Sequence, residues 1–139
     1  MVRKLIGIIA GLAVAVMLVS LIQKFGHSLY PPPAEMDLAD QEFMQNYMTN
    51  LPWGPLAFVL GSYVGGALVG GWVAAFIARE SSLVIAGIVG MFILAGAITN
   101  MAIIPHPAWF ATATVVGMVT AVLIAAKLAS GRSIHAKVY

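Results

Sequence analysis

Four long apolar stretches, at about residues 5–25, 54–78, 83–104 and 108–129, alternate with short polar segments along the chain. A helix needs about 20 apolar residues, at roughly 1.5 Å each, to cross a hydrocarbon core about 30 Å thick. Each stretch is long enough. The first contains Ser20, Gln23 and Lys24 as its polar members, the second carries no charge, and the third has Thr99 and Asn100 as its strongly polar residues. The fourth ends near Lys127, whose flexible stem can carry its ammonium to the interface. Backbone amides in hydrocarbon must pair within their own segment, and the stretches lack the period-two alternation of barrel strands. The predicted fold is therefore all-α, a membrane-embedded four-helix bundle forming one integral membrane domain over residues 1–139.

The basic tip Arg3-Lys4 ahead of the first stretch would also suit a secretory signal. Such signals have an apolar region of about 7 to 15 residues and a small-residue cleavage site. Here the run is longer and no A-x-A pattern follows, so the first stretch is expected to stay as a span.

The connection at 26–53 is the one sizeable region outside the spans, and connections of this length are often functional. Pro31, Pro32 and Pro33 enforce an extended start. Asp37 offers a helix cap, with Asp40 three residues on, ahead of a short interfacial helix expected over 38–50. Phe43, Tyr47 and Leu51, spaced by four, would give that helix one apolar stripe.

Composition narrows the class. Hydrophobic residues are 61% and charged residues 9% of the chain, and mean hydropathy is +0.97, against roughly a quarter charged in a soluble domain. Lipid is the expected solvent for much of the surface. With no cysteine, disulfides, thiolate ligands and a cysteine nucleophile are excluded. The net charge is +2, but no basic run supports a nucleic-acid partner. Arg3, Lys4, Arg79, Lys127, Arg132 and Lys137 fall on one side of the spans and Lys24 on the other. Because Lys and Arg accumulate in cytoplasmic loops, both termini are expected to be cytoplasmic and the 26–53 connection outer. Trp53 and Trp109 would then lie at the outer interface.

Three observations bear on function. His27 leaves the first span, and His106 sits in the Pro105-His106-Pro107 turn, at the same expected depth, where Asp37 could join them. Imidazole and carboxylate are ligands for transition metals, although no pair of these residues has diagnostic metal-ligand spacing. Hydrogen bonding to water, loop backbone or lipid phosphate is the simpler role for both histidines. Next, Gly7 and Gly11 in the first span, and Gly61, Gly65, Gly66 and Gly70 in the second, form rows at spacing four that let two helix backbones approach closely. Such rows mark a contact without naming the partner, which is another helix of this bundle or another chain. Finally, no ionisable residue lies at mid-depth, which disfavours a proton-coupled pump. Asn100 alone needs a partner outside its helix, with water or the 105–107 turn as candidates. No metalloprotease, nucleophile-elbow or P-loop pattern occurs, so no catalytic residue is assigned.

The motifs Gly26-His27-x-x-Tyr30-Pro31-Pro32-Pro33 and Pro105-His106-Pro107-x-Trp109 resemble those of a group of small bacterial four-helix membrane proteins. The resemblance covers nearly the whole chain and implies a bacterial inner-membrane location, but brings no activity that maps onto particular residues. The leading expectation is a non-enzymatic component without a cofactor, which self-associates or docks as an accessory subunit onto a larger membrane complex. A small channel or transporter for a neutral solute is the first alternative. An outer metal or catalytic site on His27, His106 and Asp37 is the second.

Overall fold

The computed structural model of the protein describes residues 1–135, with side chains to residue 131. The expectations placed on Arg132 and Lys137 lie outside the described side chains. Among the described residues five helices follow in order: α1 (Val2–Leu29), α2 (Gln41–Asn50), α3 (Trp53–Ala78), α4 (Ser82–Ile103) and α5 (Ala108–His135). No strand occurs among the described residues. Four of the helices, α1, α3, α4 and α5, are long and apolar enough to cross a bilayer. The chain is an integral membrane protein of four-helix-bundle form, with α2 as the short extra helix.

Helix α3 is the hub, packing against α1, α4 and α5. Its composition explains this position, because small residues recur on more than one of its faces. Gly66, Gly70, Ala74 and Ala78, each four residues after the last, are all buried. They run antiparallel to the buried row Gly7, Gly11 and Ala15 of α1. A Cβ built on Gly7 would lie 2.6 Å from the carbonyl oxygen of Ala74, and one on Gly66 would lie 3.2 Å from that of Ala15. Backbone thus meets backbone along this seam, and the attraction is dispersion between close-packed surfaces, since lipid removes the hydrophobic drive. On another face, Gly71 approaches Ala86 of α4 and Ala125 of α5. Helices α1 and α4 also touch.

The start of α1 is fastened to the α3–α4 turn. Arg3 Nε donates to the carbonyl of Ile77 at 2.8 Å, and Lys4 pairs with Glu80 at 3.0 Å. The Lys4 ammonium holds the exposed Glu80 carboxyl below its ordinary range. Arg79 and Ser81 adopt left-handed φ of 59° and 50°, a conformation in which glycine is the low-energy choice. The turn is therefore tight despite having no glycine.

Helix α2 begins later than the sequence predicts. Its cap is Asp40, whose carboxylate accepts from Phe43 N at 3.0 Å. Asp37 makes a turn of its own, accepting from Ala39 N at 2.9 Å. The stripe is also rotated: Met44 and Met48 are the buried residues, while Phe43 and Tyr47 are half-buried and stack at 6.3 Å. Leu51 and Pro52 then end the helix, the residue before proline being pushed out of the helical region.

Candidate functional site

At the loop end of the bundle a cavity of about 550 Å³ lies among α1, α3 and α4, beneath the 31–38 connection and α2. The first motif builds one wall. Gly26 has no side chain where Phe58 of α3 approaches, and a Cβ there would sit 2.8 Å from the Phe58 Cβ. Tyr30 packs over Gly54 and lies 6.1 Å, ring to ring, from Phe58, which also meets Phe25 edge-on at 6.0 Å. Gly26 and Tyr30 thereby fix the last turn of α1 on α3, and His27 between them lines the cavity.

The second motif contributes His106 to the lining. Its two prolines stiffen the turn, and His106 Nδ1 lies 2.7 Å from the carbonyl oxygen of Ile104 while the ring stacks on Phe110 at 4.6 Å. A carbonyl only accepts, so Nδ1 carries the proton and Nε2 is left as an acceptor. Burial lowers the His106 pKa from its ordinary 6.5, the backbone hydrogen bond opposing this only in part, so the ring is neutral at neutral pH. His106 borders both this cavity and a neighbouring one of about 470 Å³ that reaches Trp53 and Trp109. Both tryptophans are exposed at this end of the bundle.

His27 and His106 therefore share one cavity. Asp37 is not among its lining residues, and among the described residues no group of three or more His, Asp or Glu side chains is arranged to hold a metal. Two imidazoles fall short of the three protein ligands usual at a catalytic zinc.

Two uncharged carboxamides of the lining, Gln23 and Asn100, are tied to side chains of α3. Gln23 Nε2 donates to Ser62 Oγ at 3.0 Å, and Ser62 in turn donates to the carbonyl of Val59 at 2.6 Å. Asn100 Nδ2 donates to the Tyr63 hydroxyl at 2.7 Å. Tyr63, rather than water or the 105–107 turn, is thus the partner that Asn100 requires. Each carboxamide spends one end on the bundle, and its other end makes no hydrogen bond to the described residues. Gln23 and Asn100 both line the cavity. Among the described residues no Asp, Glu, Lys or Arg lines it.

The glycine rows lie apart from this site. Gly7, Gly11, Gly66 and Gly70 are in the α1–α3 seam, Gly65 makes ordinary contact with Ile22 at 3.6 Å, and a Cβ on Gly61 would meet nothing within 4 Å. Sequence reading gave no role to Gln23, Tyr30, Ser62 or Tyr63. The available signal was two carboxamides, Gln23 and Asn100, each within two turns of the loop-side end of its span. Compared with family models, curated proteins and solved structures, the chain matches none of them. Fold and site define a class: an integral membrane four-helix protein with a mostly apolar cavity, bordered by a few neutral polar side chains, at its loop end.

Proposed function

We propose that the chain is a non-enzymatic binding protein of a bacterial inner membrane, holding a small neutral molecule in the loop-side chamber. The observation that carries this reading is the shared wall: His27 from the end of α1 and His106 from the α4–α5 turn border one cavity with Gln23 and Asn100. Ligand sites are concave and mostly apolar, with a few placed polar groups that fix orientation, and this chamber has that make-up. Its acceptors are neutral, so a hydroxyl or amide N–H donor suits it better than an anion.

Orientation follows from charge. Arg3, Lys4 and Arg79 cluster at the end opposite the chamber, and the acids Glu35, Asp37, Asp40 and Glu42 lie in the loop beside it. Both termini are therefore assigned to the cytoplasm and the chamber to the outer side. Docking onto another chain has less support, because four of the six glycines that argued for it are occupied within the chain.

The test is nuclear magnetic resonance of the full chain with labelled histidine, titrated with a short neutral alcohol such as butanol. The His27 and His106 ring signals should move together along one saturation curve. Movement of only one ring, or unsaturable drift of both, would rule the chamber out as a binding site.

A further inference from the structure

We infer that the chamber is reached from the bilayer through the groove between α1 and α4, and that its ligand is a single-chain amphipath with a neutral, hydroxyl- or amide-bearing head. This inference rests on the binding reading above and assigns the ligand class and route.

A third cavity of about 330 Å³ lies between the two helices, lined by Val16, Val19 and Ser20 of α1 and by Phe92, Ile93 and Gly96 of α4. Tyr63 of α3 also lines it, and Gln23 and Asn100 border it as well as the chamber. The two spaces thus meet at the two carboxamides whose far ends are unspent. Val16, Ser20, Phe92 and Gly96 are exposed, and a Cβ on Gly96 would find nothing within 4 Å, so no other helix fills this side. All of these residues belong to spans, which puts the groove against acyl chains rather than water.

The groove runs along α1 from Val16 to Gln23, seven residues or about 10 Å at the helical rise, the reach of a medium alkyl chain. A tail lying there places its head at Gln23 and Asn100, with the Nε2 acceptor of His106 on the chamber side. Free acceptors in low dielectric are costly unless a donor reaches them, so a hydroxyl or amide head gains most at that point. A negative head is selected against twice. Among the described residues no cation lines the chamber to pair an anion, and four of the chain's five acidic side chains flank the roof.

The probes are glycerol monoethers with butyl or dodecyl tails, and dodecyl sulfate at sub-denaturing concentration, added to the full chain in nanodiscs. Native mass spectrometry reads occupancy. The dodecyl ether should bind at least about tenfold more tightly than the butyl ether or the sulfate, and Gly96→Leu should remove most of that advantage while leaving butyl binding unchanged. Gly61→Leu, a second exposed glycine with open space, should change neither. If Gly96→Leu leaves dodecyl binding intact while the chamber-filling Leu56→Trp abolishes it, the groove is not the route and the chamber reading alone survives. If neither ether binds the unaltered protein, both fail. If Gly96→Leu changes the oligomeric state and not the affinity, the groove belongs to a second copy and the lipid route is overturned.

Discussion

A methyl group added to Gly11 would fall 2.5 Å from the carbonyl oxygen of Gly70, and one added to Gly70 would fall 2.6 Å from that of Gly11. The obstruction on each side is backbone, which cannot rotate away as a side chain does. Gly11→Leu or Gly70→Leu should therefore cost about 1–3 kcal/mol or more, the range of overpacking in a close-packed interior. Gly61→Leu, facing open space, should cost little. Reversible unfolding in mixed micelles of mild detergent and dodecyl sulfate measures the difference, and equal losses at positions 61 and 70 would contradict the seam.

Thr114 is wholly buried on α5, and its hydroxyl has no hydrogen-bond partner among the described residues. Other span hydroxyls return a bond to their own helix, as Thr99 does to the Ala95 carbonyl and Thr120 to that of Val116. Thr114→Val keeps the shape and removes the unpaired group, so it should raise stability by about 1 kcal/mol in the same unfolding assay.

His106 titrates below its ordinary 6.5 because the half-buried turn disfavours the cation. The folded state thus binds fewer protons than the unfolded state as pH falls below 6.5. The contribution is complete above that pH and is lost as pH falls through the folded value. Thermal unfolding of the protein and of His106→Gln should converge in pH dependence above neutrality and diverge in mild acid, where the unaltered protein loses more. Identical acid sensitivity would show that the ring is not shielded from water.

The four spans were legible because hydrocarbon imposes one rule on every residue of a crossing, and 20-residue apolar runs meet it without tertiary detail. The seam was half legible. Gly7, Gly11, Gly66 and Gly70 stand out by type, but Ala15, Ala74 and Ala78 complete the same rows and alanine is common in any apolar helix. Gly61 and Gly65 match the spacing equally well, and only the placement of α1 separates the two rows. The short helix was misplaced by one capping residue, since Asp37 and Asp40 have the same capping chemistry and Asp37 is taken by the Ala39 amide. At the chamber, histidines drew attention as titratable groups. Gln23 did not, because its significance depends on Ser62, which lies on another helix.

The most direct test of the chamber and its lateral route is photo-crosslinking with a glycerol monoether that carries a diazirine at the end of its alkyl chain, followed by peptide mapping. Adducts should concentrate on the groove residues of α1 and α4, around Val16, Val19, Phe92 and Gly96, and an excess of unlabelled ether should suppress them. Adducts spread evenly over the exposed apolar faces of α4 and α5, unaffected by competitor, would contradict a lipid-accessible binding site at Gln23 and Asn100.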